Sequence, residues 1–162
     1  MRSVSIYRHP GGPINGHSTI DNNLQMLGRK DIRLKNYNYT ADGYYFVTVV
    51  SKLRQNFFAG KEILIGNQLR DLEAKTNGIS LDYSVVMPNH VHVIFVLHNC
   101  PMHLGEVVRR FKAKVSLALK ASVWQANYYE HVIRNEKGLS RIREYIINNP
   151  TELLLKFDEF YK

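Results

Sequence analysis

The chain has a single cysteine, Cys100, among its 162 residues. One thiol excludes an intramolecular disulfide and a zinc site built from several cysteines, and it favours the reducing cytoplasm. No apolar run approaches the roughly 18 residues of a membrane span, and the N-terminus lacks the apolar core of a signal peptide. We therefore expect a soluble, cytoplasmic protein with no membrane partner.

Acidic residues are scarce relative to basic ones. The 14 Asp and Glu residues stand against 22 Lys and Arg residues, which gives a formal net charge of +8, and 10 Tyr residues add aromatic surface. This composition indicates a polyanionic partner, with nucleic acid ahead of membrane, although a generic basic surface has the same composition.

The length fits one domain with a full core. Residues 1–28, rich in Gly, Pro and Asn, predict a flexible arm, residues 29–150 form the predicted domain, and residues 151–162 form a short amphipathic tail. Hydrophobic periodicity predicts strands at 44–50, 80–87, 90–97 and 123–132, and helices at 66–77, after Pro101 and at 136–148. This order predicts an α+β fold with helices packed on one face of the sheet.

The stretch 85–97 contains two β-branched runs around Pro88-Asn89, which is typical of a hairpin with a tight turn. Side chains alternate along a strand, so His90 and His92 point to the same face. Two neighbouring imidazoles suit a divalent metal, but a lone His-x-His pair in a strand is more often structural than ligating. A third ligand is needed before the metal hypothesis leads.

The last predicted helix offers such a ligand. Tyr145 and Asn149 are four residues apart and share one helix face. If that face lies over the His strand, the Asn149 carbonyl oxygen can complete a metal site and the Tyr145 phenol can act as nucleophile beside it. A tyrosine there can equally be a core or surface residue. Tyr128 and Tyr129 compete for the role, but only Tyr145 has a polar candidate ligand one turn later.

Several motifs occur together and in order along the chain, in segments 33–37, 43–48, 87–92, 104–112, 124–135 and 143–150. Together they resemble the motifs of the HUH tyrosine transposases, specifically the REP-associated branch. The resemblance covers about residues 29–150.

The resemblance implies a ferredoxin-like antiparallel sheet with the His pair on a central strand and the nucleophile on the C-terminal helix. It implies that His90 and His92 bind Mg²⁺ or Mn²⁺, with Asn149 completing the site. It further implies that Tyr145 attacks single-stranded DNA to give a 5′-phosphotyrosine and a free 3′-hydroxyl, in an enzyme that acts as a monomer or a homodimer. His131 is a candidate base, although a supporting or structural role explains it equally well.

Basic side chains predict where DNA binds. Single-strand binding combines a basic groove with aromatic stacking, and the resemblance favours a hairpin-associated DNA partner. The predicted DNA contacts are Arg109, Arg110, Lys112, Lys114, Arg134 and Arg141.

Two other functions are compatible with the sequence. A non-catalytic module that binds structured nucleic acid could use the same scaffold, and its binding would survive EDTA. A different metal phosphoesterase is disfavoured because position 94 is Ile rather than a third His, and because no second His-x-His motif is present.

Overall fold

The computed structural model of the chain describes residues 33–148. The predicted arm, the predicted tail and Asn149 lie outside these residues, so the boundaries and roles assigned to them stay predictions.

Four strands and three helices account for most of the described residues. The strands are rich in β-branched and aromatic residues, and the helices repeat apolar residues at three- and four-residue steps. The elements are β1 (Gly43–Val50), α1 (Glu62–Ala74), β2 (Ile79–Met87), β3 (His90–Leu97), α2 (Leu104–Leu119), β4 (Tyr129–Ile133) and α3 (Glu136–Asn148). No helix within residues 33–148 is long and apolar enough to cross a membrane.

The strands form one antiparallel sheet in the order β2-β3-β1-β4. Up to β4, the element order β-α-β-β-α-β is that of a ferredoxin-like fold. The predicted α+β class and antiparallel sheet are therefore confirmed. The His strand β3 is central, as predicted, because it pairs with β2 on one side and β1 on the other.

Helices cover both faces of this sheet, so the prediction of helices on one face was wrong. Odd-numbered residues of β1 and β3 pack against α1 and α2 in a cluster that includes Val93 and Phe111. Even-numbered residues pack against α3 in a second cluster, where Phe46 and Ile94 meet Ile142. A helix must bury its apolar stripe, and α3 does so on the face that carries His90 and His92.

A bulge interrupts the edge strand β2 at Asp82. The register with β3 shifts between Leu81 and Tyr83, so odd-numbered residues of β2 change faces along the strand. Leu81 packs with the α1 and α2 cluster, whereas Tyr83 and Val85 pack with the α3 cluster. The bulge thereby adds two apolar side chains to the cluster that α3 joins.

Two predicted elements have different bounds in the structure. α1 begins at Glu62 rather than at residue 66, and it ends at Ala74. β4 begins only at Tyr129, because Trp124 forms an isolated bridge with Ser51 and Asn127 adopts a left-handed φ of 67°. The segment 123–128 is therefore a connection that pairs with β1 only through the bridge next to its end, rather than a strand.

Gly78, between α1 and β2, has a left-handed φ of 79° and close neighbours. A Cβ atom there would lie 2.6 Å from Cys100 Cα and 2.7 Å from the His98 carbonyl oxygen. Gly60 has a similar φ of 73° but nothing within 4 Å of its would-be Cβ. We expect Gly60→Ala to lower the free energy of unfolding by about 1–2 kcal/mol and Gly78→Ala by about 2–4 kcal/mol.

Urea denaturation of the two variants measures this difference. Both substitutions incur the same left-handed backbone cost, so the excess loss in Gly78→Ala isolates the steric clash. Equal losses would show that the Cys100 backbone moves away freely.

Candidate functional site

The two imidazoles of β3 lie side by side on the face covered by α3. His90 and His92 are 1% and 0% exposed, and their ring centroids are 4.6 Å apart with planes at 71°. This proximity follows from the two-residue repeat of a strand. Buried polar groups need partners, so the contacts of each ring decide its tautomer.

Asn89 orients the ring of His90. The Asn89 Oδ1 atom lies 2.7 Å from His90 Nδ1, while Asn89 Nδ2 donates to the Arg54 carbonyl oxygen at 3.3 Å. Because the amide nitrogen is directed at Arg54, its oxygen faces His90 and accepts the Nδ1–H bond. His90 Nε2 therefore carries the lone pair that a metal ligand requires.

Thr48 occupies the corresponding position beside His92. It is fully buried on β1 as the register partner of His92, and its Oγ1 lies 2.7 Å from His92 Nδ1. The Phe46 ring packs on the same imidazole with centroids 5.5 Å apart. When the Thr48 hydroxyl accepts the Nδ1–H bond, His92 also presents an Nε2 lone pair.

α3 packs across this face through its apolar residues. Leu139, Ile142 and Ile146 contact a cluster that includes Ile94, which is two residues beyond His92. Tyr145 is half-buried against the same cluster, which also contains Val85, the register partner of His92. The helix that carries the predicted nucleophile therefore covers the face that carries the predicted ligands.

An ion pair fastens α3 to the β2 bulge. The Arg143 guanidinium donates from Nε to Asp82 Oδ2 at 2.8 Å, and its Nη2 donates to Asp82 Oδ1. Both groups are partly shielded, and the Asp82 contact raises the pKa of Arg143. This two-point contact fixes the rotation of the helix two residues before Tyr145.

The competing tyrosines, Tyr128 just before β4 and Tyr129 at its start, lie on opposite faces of the sheet. Tyr128 is buried in the α1 and α2 cluster with Arg33 stacked 5.1 Å from its ring centre. Burial and then the Glu130 charge raise the pKa of Tyr128 to about 12. Tyr129 is the register partner of Thr48 and therefore shares the His face.

His131 lies on the His face as well, opposite Phe46 of β1. Burial, and then the charge of Arg134, lowers the pKa of His131. The ring is therefore neutral at pH 7, which is the form that can accept a proton.

The cations predicted to contact DNA fall into two groups. On α2, Arg109 and Arg110 both bind Glu106, at 2.7 Å and 2.9 Å. These two contacts lower the pKa of Glu106 to about 2. Lys114 pairs with Asp71, and Lys112 donates to backbone carbonyl oxygens.

α2 packs on the sheet face away from the His pair, so the structure does not bring its cations to the site. Arg134 follows β4 and Arg141 lies on α3, and both are exposed. Arg141 is thus on the helix that covers the imidazoles, and Arg134 lies just before that helix.

The two imidazoles are the candidate metal ligands on this face. Among residues 33–148, no group of three or more His, Cys, Asp and Glu side chains is placed to hold a metal ion. Imidazole nitrogen suits transition cations, so the pair fits Mn²⁺ better than Mg²⁺. A further oxygen ligand has to come from another residue type or from the substrate.

Sequence reasoning missed Thr48 and Asn89. Thr48 is the one polar residue within the apolar run Phe46 to Val50. It is two residues from Phe46 on the strand, so both side chains lie on the same face. Asn89 precedes the His pair directly and was interpreted only as a turn residue. A polar residue inside a buried strand needs a partner, and that signal was available.

Two relatives from Haemophilus influenzae (strain ATCC 51907 / DSM 11121 / KW20 / Rd) are similar to this chain. An uncharacterized protein is 38% identical, over 86% of this chain and 96% of that protein. A protein whose name assigns it provisionally to the REP-associated tyrosine transposases is 24% identical, over 74% of this chain and 77% of its own. No family model matches the chain.

A solved structure has the same fold. It is a REP-associated tyrosine transposase bound to a REP hairpin, with a TM-score of 0.64 and 23% identity, over 74% of this chain and 73% of that one. The fold of the described residues is therefore a transposase-like one.

Proposed function

We propose that this chain, which belongs to the same family as the uncharacterized Haemophilus influenzae protein, is a transposase or endonuclease that nicks and rejoins single-stranded DNA. The observation that supports this proposal is the packing of α3, with Tyr145, on the sheet face that carries the buried His90 and His92. The transposase-like fold and the net charge of +8 agree with it.

His90 and His92 are the proposed ligands of Mn²⁺ or Mg²⁺. Their Nδ1 atoms are held by Asn89 and Thr48, so the Nε2 atoms are the ones to bind a cation. Asn149, outside the described residues, is proposed as the third ligand. A bound cation would withdraw charge from the oxygens of the scissile phosphate and orient it.

Tyr145 is the proposed nucleophile. Its phenolic oxygen forms a bond to phosphorus while the bond from phosphorus to the 3′-oxygen breaks, which leaves a 5′-phosphotyrosine and a 3′-hydroxyl. The phenolic proton leaves Tyr145, and the departing 3′-oxygen gains one. Neutral His131, on the same sheet face, is a candidate acceptor for the phenolic proton.

A tyrosine suits this exchange because its phenol, with a reference pKa of about 10, is a better leaving group than an aliphatic alcohol. The phosphotyrosine keeps the phosphodiester activated, so a 3′-hydroxyl can attack it in the rejoining step. No other energy source is needed for strand transfer. Over both half-reactions one alkyl phosphoester bond breaks and one forms, so the net free-energy change is small.

The proposed substrate is single-stranded DNA that carries a hairpin. The solved neighbour is bound to a REP hairpin, and exposed Arg134 and Arg141 are the sequence-predicted phosphate contacts that lie on or beside the helix covering the His face. Phosphate contacts position a strand without reading its sequence.

Incubation with labelled single-stranded hairpins from the DNA flanking the gene tests the proposal. We expect a protein–DNA adduct that survives denaturing electrophoresis, requires Mn²⁺ or Mg²⁺ and disappears with EDTA. The alternative, a non-catalytic nucleic-acid-binding module, predicts hairpin binding that EDTA leaves unchanged and no adduct with any of these DNAs.

A further inference from the structure

The chain turns sharply after β1, at the end of the sheet where His90 lies. Val50 is the register partner of His90, and the next residue, Ser51, donates its backbone N–H to the Asn89 carbonyl oxygen at 2.9 Å. The Asn89 side chain in turn donates to the Arg54 carbonyl oxygen. The turn Lys52–Arg54 is therefore fastened to the residue that orients His90.

Further hydrogen bonds make this turn rigid. Lys52 N–H donates to the Val123 carbonyl oxygen at 2.7 Å, and Ser51 Oγ donates to the Gln55 carbonyl oxygen at 2.6 Å. The backbone at position 53 is consequently held in one place relative to β3.

Two consecutive residues of the turn adopt a left-handed backbone. Leu53 and Arg54 both have a φ of 54°, a conformation that is unfavourable for residues other than glycine. Such strain concentrates at functional sites, where the side chain has a use that offsets it. A glycine at position 53 would remove the strain, so the leucine side chain itself needs an explanation.

The exposed side chains of the turn suggest why a leucine stands at position 53. Leu53 is 78% exposed, and it stands between two exposed cations, Lys52 and Arg54. Neither cation forms an ion pair with another residue of the described part of the chain. The α2 cations, by contrast, bind Glu106 and Asp71.

We propose that the turn Lys52–Arg54 contacts the DNA strand beside the His pair, with Leu53 packed against a nucleobase and Lys52 and Arg54 on the flanking phosphates. An apolar side chain between two cations matches a base between two phosphates, and leucine is among the residues that proteins insert between bases. One apolar side chain is too little for a protein interface. The inference rests on the proposed function, because it places DNA at the His pair.

Leu53→Ala, compared with Leu117→Ala, tests the apolar contact. Both leucines are highly exposed, at 78% and 80%, but Leu117 lies on α2. In a Tyr145→Phe background, which cannot form the adduct, anisotropy of a fluorescein-labelled single-stranded hairpin oligonucleotide should show about fivefold weaker binding for Leu53→Ala only. This is the lower end of the base-stacking range, since leucine has no π face.

Equal affinities of the two variants would overturn the inference while leaving the proposed function intact. If the parent protein binds no single-stranded or hairpin DNA, the proposed function fails and this inference fails with it.

The two cations of the turn are tested by salt dependence. Each phosphate contact to a single strand adds about 0.7 to the slope of log K against log salt concentration. We expect Lys52→Ala/Arg54→Ala to reduce that slope by about 1.4. The control Arg70→Ala/Lys120→Ala removes the same charge elsewhere and should leave the salt slope unchanged. Identical slopes for the two double variants would contradict the phosphate contacts of Lys52 and Arg54.

Leu53→Gly separates a binding role from a structural one. Glycine relieves the left-handed strain and removes only an exposed side chain, so the urea midpoint should rise. DNA affinity in the same Tyr145→Phe background should fall about fivefold, as for Leu53→Ala. A lower urea midpoint, or an affinity equal to that of the parent, would show that the leucine serves the fold rather than the DNA.

Discussion

The Tyr145→Phe variant is expected to form no covalent adduct with single-stranded hairpin DNA, a loss of at least about 10³-fold relative to the parent. The substitution removes only the phenolic oxygen that would attack phosphorus. The ring remains to pack against the α3 cluster, so the free energy of unfolding should change by about 1 kcal/mol or less. Adduct formation with Mn²⁺ and DNA affinity by anisotropy measure the two effects separately.

The other tyrosines of the region provide matched controls. Tyr129→Phe removes a phenolic hydroxyl from the same sheet face as Tyr145. Tyr128→Phe removes one from the opposite face, which packs against α1 and α2. Both variants should retain the adduct. If Tyr145→Phe retains it and Tyr129→Phe loses it, then the nucleophile is on β4 rather than on α3.

The second large effect is expected for His92→Ala. Losing one of the two proposed imidazole ligands should lower metal-dependent cleavage by at least about 10²-fold and weaken Mn²⁺ binding, which calorimetry measures independently of activity. His98→Ala is the control, because His98 follows β3 directly but its side chain is exposed at the surface beside Asp42. Unchanged Mn²⁺ affinity in His92→Ala would remove this residue from the proposed site.

Thr48→Val should weaken Mn²⁺ binding less than His92→Ala does. Valine has nearly the shape of threonine but lacks the hydroxyl that lies 2.7 Å from His92 Nδ1. Both imidazoles remain, so the loss of Mn²⁺ affinity measures how much the orientation of His92 contributes. We expect a loss of about 10–100-fold, which is typical of contacts that orient a metal ligand. An affinity equal to that of the parent would show that packing alone orients His92.

Much of the fold was predictable because its signals are local. The hairpin around Pro88-Asn89 and the last helix at 136–148 were predicted almost to the residue, since proline and a dense apolar period mark them. The start of α1 was missed because its N-terminus has no capping side-chain bond: Lys61 precedes it without one. β4 was predicted too long because 123–128 is rich in strand-forming residues, although only Trp124 forms a bridge and Asn127 is left-handed.

The placement of α3 could not be obtained from periodicity. An apolar stripe such as Leu139, Ile142 and Ile146 shows that a helix is buried but not which sheet face it covers. The useful signal was the continuous apolar run at the end of β3, which requires cover on both faces. Because α1 and α2 cover one face of the sheet, this requirement leaves the face with His90 and His92 for α3.

The candidate site, like the fold, could be predicted from the sequence only in part. The adjacency of His90 and His92 follows from strand geometry, whereas the contacts of their Nδ1 atoms depend on pairing with β1 and on the turn after it. These are contacts between residues up to 44 positions apart, and a single sequence does not encode which of them form.

The bulge at Asp82 has a consequence for how two copies of the protein can meet. β2 is an edge strand, and a long flat edge offers unpaired backbone groups to which a strand of another molecule can add. The extra residue twists this edge, and the Asp82 carboxylate bound to Arg143 stands beside it. The other edge, β4, is only five residues long. Within residues 33–148, both edges of the sheet thus carry features that oppose the addition of a strand from another molecule.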